Sequence, residues 1–157
     1  MEQTKFEKFV EIIKKLRAPD GCPWDREQTL TSMKKCILDE SAETLVAIDI
    51  YEKTGDTENL CEELGDMLLQ VVMHAVIAEE EGLFTMDDVI DMVSEKMIRR
   101  HPHVFGDVDV ANSAEVLKNW EKIKKKEHSN ENICMPSKKE IIQNIINEGE
   151  KRLNEIG

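Results

Sequence analysis

A chain of 157 residues and 18.1 kDa suggests one domain long enough to bury a core, and 40% hydrophobic with 34% charged residues is the composition of a soluble, helix-rich protein. A formal charge of -12 excludes a general binder of nucleic-acid polymers, because the phosphate backbone would be repelled over most of the surface; a small phosphate ligand carried with divalent cations stays open. The four cysteines form no Cys-x-x-Cys pair, the opening residues carry no signal-peptide pattern, and the most apolar run, Met67 to Ala78, holds Gln70 and His74 and is too short to span a bilayer. The expectation is a cytoplasmic protein with reduced, structural thiols and no membrane partner.

In chain order, Phe6, Phe9, Val10, Ile13 and Leu16 predict a short amphipathic helix over 4–17. Ala18-Pro19-Asp20-Gly21-Cys22-Pro23 stops it, since two prolines and a glycine cannot continue a regular helix. Trp24 and Asp25 then fall in the loop, where an aromatic and an acid either pack and cap or line a pocket for a base or sugar.

A helical period runs from Thr29 to Ile50 and again from Asp56 or Thr57 to Glu81, with Thr54-Gly55-Asp56 the only turn between them. So short a connection makes the two helices antiparallel neighbours. Each carries acids at i and i+3, in Asp39-Glu40-Ser41-Ala42-Glu43 and in Glu62-Glu63-Leu64-Gly65-Asp66, so each offers two carboxylates on one face. Glu40 falls inside the apolar stripe of Met33, Cys36, Ile37, Thr44, Ala47 and Ile48, with Glu43 at its edge; Glu63, Asp66, Gln70 and His74 flank a stripe of Leu60, Leu64, Met67, Val71, Ala75 and Ala78. A carboxylate amid apolar neighbours is costly to bury unless it is paired or binds a metal. Facing the two acid pairs puts the turn near residue 53, so the first helix should fray before Glu52; if it runs to Thr54, the pairs are staggered by about 6 Å.

Gly82 suits a left-handed cap, and Thr85 caps the next helix, which has acids in its first turn and Val89, Met92, Val93 and Met97 facing inward. It ends in Lys96-Met97-Ile98-Arg99-Arg100-His101 before Pro102. Cations belong at a helix C-terminus without any ligand, yet a basic cluster within a chain of net charge -12 also suits a phosphate site. His101 to Gly106 reads as a loop. A helix capped by Asn112 or Ser113 runs through Lys126 with Val116, Leu117, Trp120 and Ile123 on one side; Trp120 and Lys124 are four apart and adjacent. Trp120 reads first as core, and Lys124 beside it allows stacking plus phosphate binding. Residues 128–136 read as a linker, and the capping box Ser137 to Glu140 opens a final helix with Ile141, Ile142, Ile145, Ile146 and Leu153. The predicted architecture is an all-α helical bundle built on the acidic antiparallel pair, over residues 1–127, followed by a linker and C-terminal helix over 128–157.

Two helical carboxylate pairs suit either a di-iron bundle or a magnesium site. Di-iron bundles use Glu-x-x-His, and here the i+3 positions are Glu43 and Asp66, so all-oxygen ligation favours hard Mg²⁺, with Mn²⁺ as alternative. His74 reads as a buried, hydrogen-bonded histidine. Hard cations with a basic cluster and an aromatic point to a phosphorylated, nucleotide-like substrate, and with no Gly-rich phosphate loop the metal would supply most of the phosphate recognition.

Gly21-Cys22-Pro23-Trp24-Asp25 with Gln28-Thr29, Asp39-Glu40-x-x-Glu43, Glu62-Glu63-Leu64-Gly65-Asp66, the run Lys96 to Gly106, and Trp120-Glu121-x-x-Lys124 together resemble a MazG-type nucleoside triphosphate pyrophosphohydrolase over roughly residues 6–127. The resemblance implies an all-α fold, a homodimer, and hydrolysis of nucleoside triphosphates to monophosphate and pyrophosphate with Mg²⁺. It assigns metal binding to Glu40, Glu43, Glu63 and Asp66, and nucleotide contacts to Lys96, Arg100, Trp120 and Lys124. Asp39 stands where the family commonly has glutamate. The resulting expectation is a Mg²⁺-bound water at a four-carboxylate site, deprotonated by Glu62 or Glu63, with Lys96, Arg99 and Arg100 neutralising phosphate oxygens and Trp24, beside Asp25, or Trp120 stacking on the base. A narrow-specificity dUTP or phosphoribosyl-ATP hydrolase, and a non-catalytic nucleotide- or metal-sensing helical protein, are the alternatives.

Overall fold

The computed structural model describes residues 2–128 and 140–147, and among them there is no strand. Seven helices follow in order: α1 Lys5–Arg17, α2 Pro23–Glu27, α3 Lys34–Thr54, α4 Thr57–Glu80, α5 Met86–Arg100, α6 Pro102–Phe105 and α7 Ser113–His128; residues 140–147 are also helical. No helix is long and apolar enough to cross a membrane among the described residues. The linker expected over 128–136, the capping box at Ser137, Cys134 and Leu153 lie outside the described residues, apart from the last residue of α7. By its contacts the chain forms two compact units, Met1–Met92 and Val93–Gly157.

The first unit is built on α1, α3 and α4. Thr4 and Glu7 close a reciprocal capping box on α1, with the Glu7 carboxylate 2.6 Å from the Thr4 N–H. The second half of α4 is buried on almost every side: Gln70, Val72, Met73 and Ala75 through Ala78 are all in the interior, and Ile13 of α1 and Met33 join that core, with Phe6, Phe9 and Val10 against it. Ile13, Val72 and Ile77 are fully buried, which stabilises the fold by about 1.5–3 kcal/mol each. Among the described residues α4 packs mainly against α3, and its buried positions begin only at Gln70. Leu64 and Val71, expected in the apolar stripe, are exposed, as are Ile37 and Ile48 of the α3 stripe. Cys61, expected to be a structural thiol, is exposed too.

The hairpin connection is as short as expected. Gly55 has φ +77°, a conformation that favours glycine, and its N–H bonds the Tyr51 carbonyl at 2.8 Å; Asp56 then caps α4 by accepting from the N–H groups of Glu58 and Asn59. Regular α3 begins at Lys34 rather than Thr29, because Thr29 and Ser32 exchange backbone–side-chain bonds across a preliminary turn. It also runs to Thr54 instead of fraying before Glu52. The facing expected from the acids nevertheless holds, with Ser41 opposite Met67 and Thr44 opposite Glu63. Antiparallel helices can slide along one another, so the turn position does not fix which residues meet.

Three further differences concern short segments. Trp24 and Asp25 lie in the five-residue α2, started by Pro23 at its first position, not in a loop. Pro102 likewise opens α6 where a loop was expected. Met92 and Val93 are exposed rather than inward, while Met97 is half-buried. Gly82, at φ +69°, and the capping box of Thr85 with Asp88 match the sequence reading.

Candidate metal and nucleotide site

In the first unit, single carboxylate oxygens of Glu40, Glu43 and Glu63 lie within 4.8 Å of one another. The residues that hold the helices in register lie between them: the Thr44 hydroxyl donates to the Glu40 carbonyl at 2.8 Å and to the Glu63 carbonyl at 3.4 Å, and the Ser41 hydroxyl donates to the Ile37 carbonyl at 2.6 Å while lying 3.7 Å from Met67 Sδ. Burial raises the Glu40 pKa above the usual carboxylate range, and the charges of Asp66, Glu43, Glu63 and Asp39 raise it further.

Asp66 is not part of the converging trio, although its charge is the strongest of those acting on Glu40. It is one methylene shorter than the glutamates. Glu62 is exposed on the solvent side. Glu63 was assigned from the sequence without its anchor: Asn59, one turn earlier, donates to Glu63 Oε1 at 3.3 Å, and the i, i+4 spacing was the available signal. The other oxygen, Glu63 Oε2, is buried with no hydrogen-bond partner. Clustered carboxylates with an unsatisfied buried oxygen fit a hard divalent cation, which would neutralise the repulsion and complete the oxygen's bonding.

The basic residues fall in the second unit. Arg99 Nε donates to Glu127 Oε1 at 2.6 Å; Arg100 donates through Nε at 3.1 Å and Nη2 at 2.6 Å to Glu127 Oε2. The Arg100 hydrogen bonds, followed by those of Arg99, hold the Glu127 pKa down at about 2. The cation over Trp120 is Arg100, 5.2 Å from the ring centroid, with His101 edge-on at 5.0 Å. Lys124 is exposed and Lys96 half-buried. The structure thus brings together Arg99, Arg100 and Trp120, and adds Glu127, which the sequence reading missed because its helix was expected to end at Lys126. His74 is a half-buried histidine whose Nδ1 lies 2.7 Å from the Gln70 carbonyl. Trp24 is exposed on α2, with Asp25 half-buried beside it.

The fold is thus an all-α hairpin that gathers carboxylates from two antiparallel helices around one point, a donor set that could hold a hard cation. Residues 28–105 match the family model described as the MazG nucleotide pyrophosphohydrolase domain. A structure described as a mazG-related protein from Thermotoga maritima superposes with a TM-score of 0.61 at 30% identity, covering 76% of this chain and 98% of that one. The nucleoside triphosphate pyrophosphohydrolase/pyrophosphatase MazG of Thermotoga maritima is 52% identical over 122 residues, covering 78% of this chain and 45% of that protein. YabN of Bacillus subtilis is 55% identical over 123 residues, 78% of this chain and 24% of that protein, and the nucleoside triphosphate pyrophosphohydrolase of Escherichia coli K12 is 43% identical over 127 residues, 80% and 47%. The chain belongs to the MazG nucleotide pyrophosphohydrolase domain family, and it spans less than half the length of these three relatives.

Proposed function

We propose that this chain hydrolyses nucleoside triphosphates between the α and β phosphates, giving a nucleoside monophosphate and pyrophosphate. The observation that carries this reading is the trio Glu40, Glu43 and Glu63 with its unsatisfied buried oxygen, in a chain of this family. These three, with Asp66 closing the set, hold Mg²⁺, for which Mn²⁺ can substitute. When bound, the metal neutralises phosphate oxygens and lowers the pKa of water. The protein's own part is acid–base work and positioning. Glu63 is anchored by Asn59, so the exposed Glu62 is the carboxylate free to accept a proton from the attacking water. The water oxygen forms a bond to the α phosphorus, the bond from that phosphorus to the bridging oxygen breaks, and pyrophosphate leaves.

Lys96, Arg99, Arg100 and Lys124 are assigned to phosphate oxygens and Trp24, Asp25 and Trp120 to the nucleoside. Residues 1–127 form the functional domain in this reading. The free thiols at Cys22, Cys36 and Cys61 suit the cytoplasm. A homodimer completes the bundle: Leu64, Leu68 and Val71 make an exposed i, i+4, i+7 stripe on α4, with Leu45 and Val46 exposed on α3. Gly65 supports this. A glycine inside a helix costs about 1 kcal/mol relative to alanine, and a Cβ there would meet nothing within 4 Å, so close approach by a second copy gives a reason for it.

Product analysis with a panel of triphosphates and Mg²⁺ tests the activity. Monophosphate and pyrophosphate are expected; diphosphate with inorganic phosphate would overturn the proposal, and intact metal binding with no turnover across the panel would identify a sensor.

A further inference from the structure

The helix α2 is five residues long, well below the ~12–15 residues at which an isolated helix becomes even marginal in water. It is held by tertiary bonds, and the main one is a buried arginine. Arg17, the last residue of α1, has a side chain only 5% exposed. Its Nε lies 3.0 and 3.1 Å from the two carboxylate oxygens of Glu80, and its Nη2 donates to Glu80 Oε2 at 2.7 Å. The remaining face reaches α2: Nη1 donates to the Asp25 carbonyl and, at 3.2 Å, to the Gln28 carbonyl.

The mount is reinforced on both sides. A Cβ on Gly21 would lie 2.3 Å from the Leu16 carbonyl oxygen, so only glycine lets the loop turn so closely onto the end of α1. Arg26 Nη1 donates to the Pro19 carbonyl at 3.1 Å, and Gln28 Nε2 donates to the Trp24 carbonyl at 2.9 Å while its Oε1 accepts from Ser32 at 2.8 Å.

None of α2 is buried, and Trp24 is 57% exposed. A buried guanidinium is costly unless well paired, and an indole in water forfeits a large burial gain. Arg17 meets that requirement by committing its fork to Glu80 and to the carbonyls of Asp25 and Gln28, and what it holds is a short segment with no buried residue that carries an exposed indole. We infer that Arg17, anchored by Glu80, is a positioning residue that fixes the Trp24 indole as a stacking platform for the base of a nucleoside triphosphate. The inference rests on the nucleoside role proposed above for Trp24. A platform ordered in advance loses less entropy when the base arrives, so its removal weakens binding rather than the chemical step.

The test uses the full chain and the variants Arg17→Met, Arg17→Lys and Glu80→Gln. In the native background, Arg17→Met and Trp24→Ala should each raise KM for the triphosphate about tenfold with kcat within about twofold, and the double variant should be no worse than Trp24→Ala. In a Trp120→Phe background, where the tryptophan emission comes from Trp24 alone, Arg17→Met should increase acrylamide quenching, and α,β-methylene-ATP should protect Trp24 in the parent but less in the variant. Arg17→Lys keeps the charge without the fork and should fall between. Unchanged quenching in a folded Arg17→Met protein, multiplying effects in the double variant, or a loss confined to kcat would overturn the inference. A normal KM in Trp24→Ala, with quenching still altered by Arg17→Met, would instead overturn the stacking role of Trp24 alone. Should Arg17→Met fail to fold, Glu80→Gln carries the same measurements.

Discussion

At Glu40 the requirements of folding and of the site oppose each other. It occupies a half-buried position among like charges, which raise its pKa after burial has done so. An acid whose folded pKa is raised leaves the fold more stable below its unfolded value than above its folded one, so toward neutral pH this carboxyl works against folding. Glu40→Gln should therefore raise the melting temperature of the metal-free protein at pH 7, while lowering pyrophosphate release by about a hundredfold or more and removing the Mg²⁺-dependent rise in melting temperature. Calorimetry with chelator and with Mg²⁺, beside a product assay, reads all three; full activity would remove Glu40 from the site. Glu127 is the opposite case. Its pKa is lowered from 4.5 to about 2 by Arg100 and then Arg99, so its stabilising contribution is complete above the unfolded value and is lost as pH falls from about 4.5 through about 2. Urea midpoints from pH 5 to 2.5 should fall less steeply in Glu127→Gln, and identical acid limbs would show that the arginine fork adds nothing to folding.

At the scale of elements, the α3–α4 hairpin depends on two adjacent residues with separate tasks: Gly55 reverses the chain and Asp56 satisfies the first N–H groups of α4. Asp56→Ala should cost about 1 kcal/mol and Gly55→Ala about 1–2 kcal/mol, read as lower urea midpoints at unchanged slope. These punctuation marks, like Gly82 and Thr85, were legible in the sequence because each acts on its own neighbours. Glu40, Glu43 and Glu63 were legible as a group because the helical period carries over the whole segment. What the sequence did not reveal depended on contacts far along the chain. Leu64 shares a helical stripe with Ala75 and Ala78, yet the buried part of α4 begins only at Gln70, so Leu64 stays exposed. The short α2 has no period to detect. Nothing in the sequence marks Arg17, and only its burial against Glu80 distinguishes it.

For the whole molecule, the uncovered stripe on α4 sets the expected state of association. Leu68→Lys puts a charge in its middle and should shift sedimentation from dimer to monomer, whereas Gly65→Ala should weaken the dimer while strengthening the helix itself. Unchanged sedimentation in Leu68→Lys would move the interface elsewhere. The two-residue link between α3 and α4 also bears on how the protein folds. Thr44 and Glu63, which meet across the hairpin, are only 19 residues apart, so this pair of helices can close at little loop entropy, ahead of the more distant docking of α1, whose Lys14 and Glu79 are 65 apart. The carboxylates would then be gathered while much of the chain is still unfolded, and their repulsion would act on the folding barrier. Mg²⁺ should accordingly accelerate refolding in stopped-flow experiments more than it slows unfolding. The cation would then serve as a nucleating agent for the chain before it serves any substrate.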